Sequence, residues 1–137
     1  MLIDANSLLY RAFFALPPLE NSQGQPTGAV YGLINMLMKL LDQYPVDYAV
    51  AAFDLPGPTK RSLEYSEYKA NRPPTPFELR GQMQIARDVL RAMGIECIEL
   101  AGYEADDLVG SMAARAAEAG TDQNCKILSI YKNQSSI

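Results

Sequence analysis

Histidine is absent from this chain of 137 residues, and cysteine occurs only twice, at Cys97 and Cys125. A metal ion held here would therefore have to rest on oxygen ligands, which favours hard cations. The two cysteines form neither a disulfide framework nor a metal-ligand spacing, and each falls in a strand-like segment where a buried thiol is the plain reading. Long apolar runs are missing too, as are the basic segment, apolar stretch and small-residue cleavage site of a signal peptide. The expectation is a cytoplasmic protein with no membrane partner. Positive charge is scarce: 12 Lys and Arg stand against 16 Asp and Glu, for a net charge of -4. That balance argues against a protein that coats nucleic acid through a generally basic surface. No internal repeat or low-complexity tract is present.

What the chain does have is the composition of one globular domain, with 48% hydrophobic and 20% charged residues, long enough to bury a core. Its pattern alternates strands and helices. MLID is a short apolar run ending in a carboxylate, and NSLLYRAFFAL after it reads as a helix opened by Asn6 or Ser7. Pro17 and Pro18 stop that helix. After the loop LENSQGQP, Thr27 is placed to cap a helix through about Gln43, with Val30, Leu33, Ile34, Leu37, Met38 and Leu41 as its apolar stripe. Residues 48–53 (YAVAAF) read as a strand covered on both faces, ending in Asp54 and LPGP. TPFE at 75–78 reads as a capping box opening a helix that runs to Met93 and stops at Gly94. IECIEL is a third strand, GYEADDLVGSMAARAAEAG a turn and helix ending at Gly120, and CKILSI a fourth strand. This βαβαβαβ order predicts a three-layer α/β domain, a parallel sheet with crossover helices.

The acids gain meaning from that order. In an open parallel sheet the ligand crevice lies outside the carboxyl ends of the strands. Asp4 and Asp54 follow strands at that edge, and Glu104, Asp106 and Asp107 lie at the turn and first helical turn after the third strand. Glu104 and Asp107, three apart, share a helix face. Crowded carboxylates repel one another unless a cation compensates, and Mg²⁺ or Mn²⁺ suits an all-oxygen set. Such a centre polarises a phosphoryl oxygen and produces hydroxide near neutral pH, so phosphodiester hydrolysis is the chemistry implied. Simpler roles exist for each part: acids in a first helical turn complement the helix dipole, and an Asp after a strand serves a turn. Convergence of all five at one edge favours the site.

The second asymmetry is basic. Lys60, Arg61, Lys69 and Arg72 place four of the 12 basic residues within one polar segment, PGPTKRSLEYSEYKANRPPTP, which is long for a plain connection. Its cations could hold phosphates while Tyr65 and Tyr68 stack on unpaired bases. Equally, it could be a solvated loop in which Glu64 and Glu67 offset the charge.

LIDANSLLYRAFFALPP, PTGAVYGLINMLMKLL, AFDLPGPTKRSLEYSEYKANRPPTP and GYEADDLVG closely resemble, in order and spacing, the N-terminal 5′ nuclease domain of bacterial DNA polymerase I, a group related to flap endonucleases. The resemblance covers about residues 2–129. It implies a PIN-like, resolvase-like nuclease core that uses Mg²⁺ or Mn²⁺ to remove 5′ flaps, single-stranded 5′ ends and RNA primers from DNA in replication and repair. By the same resemblance Asp4, Asp54, Glu104, Asp106 and Asp107 are metal ligands, directly or through water. Lys69, Arg72 and Asp107 become the catalytic candidates. Arg11, Lys60, Arg61, Tyr68, Lys69 and Arg72 become the DNA-binding set, mostly on an arch at about residues 56–76.

The chain also departs from the family. Tyr131 and Asn133 stand where a Gly-Asp-Lys-Asp type motif would supply further metal-holding acids, which marks 130–137 as a divergent tail. The expectation is a truncated or frameshifted product lacking the C-terminal helical DNA clamp, with weak or no nuclease activity. Two other readings are an inactive module that binds single-stranded or flap DNA, and a phosphate-handling aspartate protein. An enzyme of the latter type would want a second Asp where Asn6 stands.

Overall fold

The computed structural model describes residues 1–65, 67–68, 73–120 and 125–128. Strand β1 (Leu2–Asp4) leads directly into helix α1 (Ala5–Ala15), and α2 (Gly28–Gln43) follows before β2 (Val50–Ala52). A short α3 (Lys60–Glu64) and a long α4 (Phe77–Ala92) separate β2 from β3 (Glu96–Ile98), and α5 (Ala105–Glu118) separates β3 from β4 (Ile127–Leu128). All pairings are parallel, in the order β3-β2-β1-β4, with Asp4 opposite Ala52 and Ala52 opposite Ile98. The chain thus steps outward from β1 to β3, then crosses back to lay β4 on the other side of β1. All four strands end at the same edge of the sheet.

Side chains alternate across a strand, and here the alternation separates two apolar clusters. Ile3, Ala51 and Phe53 pack with Leu8, Leu9, Leu33, Leu37, Leu79 and Leu90 of α1, α2 and α4. Leu2 and Ala52 pack on the opposite face with Ala105 and Val109 of α5. The result is three layers, with three helices on one face and one on the other, as the alternating sequence pattern predicts. Helices α1 and α2 approach closely at Gly32. A Cβ there would lie 2.6 Å from the Ala12 Cβ and 2.8 Å from the Leu16 Cδ1, so a larger residue would drive the pair apart.

The element ends differ from expectation in instructive ways. The strands at 48–53, 95–100 and 125–130 are present but shorter, because ladder pairing is confined to their central residues; Ser129 and Ile130 lie outside the described residues. In the α2 stripe Val30, Leu33 and Leu37 are buried, while Met38 is exposed. Helix α4 ends at Ala92 with Met93 as its cap, one residue short of expectation, and Gly94 just beyond has a φ of 79°, the left-handed conformation glycine adopts most easily.

The caps are where local patterns fail. Thr75 does not cap α4. Its hydroxyl is hydrogen-bonded to the Tyr10 hydroxyl at 2.6 Å, and Pro76 takes the cap position without a side-chain bond. Thr27 stands at the cap of α2 but its hydroxyl donates to the Leu19 carbonyl at 3.4 Å. The buried Gln82 of α4 replaces it, accepting from the Ala29 and Val30 amides at 2.7 and 3.2 Å. Gln82 also donates to the Glu78 carbonyl at 3.1 Å, which satisfies both ends of its amide. Among the described residues no helix is long and apolar enough to cross a membrane.

Candidate metal centre

The carboxyl edge is built from three junctions. At the first, Asp4 ends β1 and caps α1, accepting from the Ser7 amide at 2.9 Å and the Ser7 hydroxyl at 2.6 Å. Asp4, rather than Asn6 or Ser7, opens the helix, because β1 passes into α1 with no intervening turn. Asn6 is thereby freed for a different task. Its side-chain amide donates to Asp54 Oδ2 at 3.0 Å, and its oxygen accepts from the Asp54 amide at 3.3 Å.

At the second junction Asp54 follows β2. Its Oδ1 accepts from the Ala105 amide at 2.7 Å, so the first turn of α5 and the first turn of α1 both grip this one carboxylate. Orphan amides at a helix N-terminus make good partners for an anion. Asp54 therefore ties β2 to both helix starts and fixes the relative position of the acids on them.

The third junction supplies the cluster itself. Glu104 stands at the N-cap of α5, followed by Asp106 and Asp107 in the first turn. Asp107 Oδ2 accepts from the Glu104 amide at 3.0 Å, so the dipole role and the clustered-acid role coexist in the same residue. Carboxylate oxygens of Glu104, Asp106 and Asp107 lie within 4.8 Å of one another. Asp4 and Glu104 are buried.

A cation already stands among these acids. Arg61, from α3, places Nη1 3.6 Å from Glu104 Oε2 and 3.6 Å from Asp106 Oδ2, and Nη2 contacts Asp107 Oδ1. Arg61 Nη1 also donates to the Tyr68 hydroxyl at 2.8 Å, and that hydroxyl donates in turn to Glu104 Oε2 at 3.0 Å. The Tyr68 bond, and beyond it the Asp106 and Asp107 charges, raise the pKa of Arg61 further above its ordinary value. Three carboxylates against one guanidinium leave two negative charges in the cluster. Among the described residues, Asp106 Oδ1 is buried and has no hydrogen-bond partner. A buried polar atom without a partner is costly, and a divalent cation would satisfy it while cancelling the residual charge. An all-oxygen donor set with that surplus fits Mg²⁺ or Mn²⁺.

The basic candidates are placed unevenly. Lys60 reaches Tyr103, with its ammonium 4.4 Å from the ring centroid and its backbone amide on the Gly102 carbonyl at 2.8 Å. The contact with the Tyr103 hydroxyl, first of all, raises the pKa of Lys60. Arg11 is exposed on α1, about 10 Å along the helix axis from Asp4 by the rise per residue. Lys69 and Arg72 lie outside the described residues, as do Tyr131 and Asn133. Burial pushes the Cys97 thiol up from its ordinary value, in keeping with a structural thiol.

The family described as the 5'-3' exonuclease, N-terminal resolvase-like domain, matches residues 1–134. This chain belongs to that family. Among curated relatives of the exonuclease family, DNA polymerase I of Caldicellulosiruptor bescii is 48% identical over 122 residues, covering 89% of this chain and 14% of the relative. DNA polymerase I of Pseudomonas aeruginosa is 48% identical over 119 residues, covering 87% of this chain and 13% of the relative. A 5'-3' exonuclease of Aquifex aeolicus is 42% identical over 119 residues, covering 87% of this chain and 41% of the relative. The chain thus spans a small part of the polymerases and under half of the shorter exonuclease.

Sequence reasoning placed five acids at one edge, and the structure brings three of them within ligand distance of each other, with Asp54 joined to their helix by a hydrogen bond. It did not identify Asn6 as the partner of Asp54, nor Arg61 as an occupant of the acid cluster. The Asn6 signal was available in principle, since a buried amide two positions after Asp4 needs a partner; the Arg61 contact spans 46 positions and leaves no local trace.

Proposed function

We propose that this chain supplies the metal-holding core of a 5′-3′ exonuclease or 5′-flap endonuclease, hydrolysing phosphodiesters of DNA in replication and repair. The observation that carries the reading is the Glu104, Asp106 and Asp107 cluster, with one buried oxygen of Asp106 unsatisfied among the described residues. When bound, Mg²⁺ or Mn²⁺ supplies Lewis acidity and neutralises charge developing on the phosphoryl oxygens. Glu104, Asp106 and Asp107 hold the ion, with Asp4 and Asp54 acting directly or through water. Asp54 is kept in register by Asn6 and the Ala105 amide. Lys69 and Arg72 meet the scissile phosphate, while Arg11, Lys60, Arg61 and Tyr68 guide the 5′ flap, single-stranded 5′ end or RNA primer without reading its sequence. The setting is the cytoplasm.

Turnover by this chain alone is weak or absent in this reading, because Tyr131 and Asn133 replace acids that complete the centre in the family. The alternative is a noncatalytic module that grips flap or single-stranded DNA, and the guanidinium already seated among the acids favours it. Cleavage of an end-labelled 5′-flap DNA with Mg²⁺ or Mn²⁺ separates the two. Slow, metal-dependent cleavage that is lost in Asp107→Asn supports the nuclease. Salt-dependent binding that weakens in Lys69→Ala, with no cleavage at any metal concentration, supports the module.

A further inference from the structure

The geometry points to Arg61 as the residue that holds the place of the divalent cation and sets the affinity of the acid cluster for it. This rests on the metal-centre reading above and adds a competition to it. The guanidinium touches all three clustered acids, Glu104, Asp106 and Asp107. Its fourth partner is the Tyr68 hydroxyl, which passes a hydrogen bond on to Glu104 at 3.0 Å. The ring of Tyr68 also lies against the guanidinium, 5.2 Å from ring centroid to Cζ.

Both side chains belong to the segment between β2 and α4, whereas the acids belong to the β3–α5 junction. The same oxygens cannot face a guanidinium and a small divalent ion at once, because like charges a few ångströms apart repel strongly in a partly buried site. Loading with a divalent ion must therefore eject Arg61 and undo the Tyr68 bond to Glu104. The ejected guanidinium is then free to meet a phosphate, which couples ion binding to presentation of the DNA-binding segment. The cost of ejection is subtracted from ion affinity, as linkage between two ligands of one site requires.

The test is titration of the purified chain with Mn²⁺, read by the loss of the free Mn²⁺ resonance signal, for wild type and the Arg61→Gln, Arg61→Lys and Tyr68→Phe variants. Arg61→Gln is expected to bind Mn²⁺ roughly tenfold more tightly than wild type, since one repelling charge is gone. Arg61→Lys keeps the charge and stays near wild type, and Tyr68→Phe gains about twofold to threefold through loss of the hydroxyl that bridges the guanidinium and Glu104. Mn²⁺ saturation of the wild type should also speed amide hydrogen exchange in residues 60–65. Equal or weaker Mn²⁺ binding by Arg61→Gln, while wild type binds, overturns the competition and leaves the metal centre standing. Binding by neither protein overturns the metal centre itself, and the competition with it. Thermal melts of each variant show whether the fold is retained, and Tyr68→Phe serves where Arg61→Gln does not fold, unchanged Mn²⁺ affinity there overturning the competition.

Discussion

Gln82 and Asp106 each carry a buried polar oxygen, and the two are treated in opposite ways. On the α1, α2 and α4 face the Gln82 oxygen accepts two amides at 2.7 and 3.2 Å, and its nitrogen donates at 3.1 Å. At the carboxyl edge Asp106 Oδ1 is buried with no partner among the described residues, beside two more carboxylates. The first arrangement fills both acceptor positions of its oxygen inside the protein. The second leaves an acceptor without a donor among the described residues. A buried polar group that is fully partnered reads as architecture, and one left unpartnered among like charges reads as a site.

Variants can sharpen that contrast. The largest effect belongs to the apolar layer: Leu33→Ala removes a fully buried side chain and should cost about 2–5 kcal/mol in chemical denaturation. Gln82→Leu is expected next, at about 1–3 kcal/mol, because it strands the Ala29 and Val30 amides in the core. Asp4 separates the two kinds of role. Asp4→Ala should lose about 1 kcal/mol as the α1 cap disappears, whereas Asp4→Asn, an equally good cap, should leave stability within about 0.5 kcal/mol of wild type. Both Asp4 variants should weaken Mn²⁺ binding, so only the functional readout would move in Asp4→Asn. The smallest effect is at Asp106. Without metal, Asp106→Asn should leave the denaturation midpoint unchanged or slightly raised, since it relieves repulsion among the acids. A loss there as large as that of Gln82→Leu would erase the distinction between the two regions.

The elements were legible in the sequence because their causes are local. The apolar run at Leu2 and Ile3, the stripe of Val30, Leu33 and Leu37, and Gly94 after α4 each announce their element within one or two turns. Met38 was not legible, because its exposure depends on how far α1 and α4 extend across α2. Thr27 and Thr75 misled for a related reason: a threonine before a helix is a cap only if nothing else claims its hydroxyl. Leu19 claims one and Tyr10 the other.

The candidate site divides along the same line. By itself the sequence determined the α/β order, the edge at which Asp4, Asp54, Glu104, Asp106 and Asp107 gather, and the oxygen-only chemistry that follows from having no histidine. These are matters of residue type and of alternation along the chain. Only the tertiary structure decided that Asp4 is the α1 cap, that Asn6 and the Ala105 amide share Asp54, and that Arg61 stands among the acids. Two of those arrangements join residues 43 to 51 positions apart, and a cap depends on the exact place where strand becomes helix. The physical reason is that hydrogen bonds and ion pairs act over a few ångströms, and which groups come that close is settled by packing the whole chain.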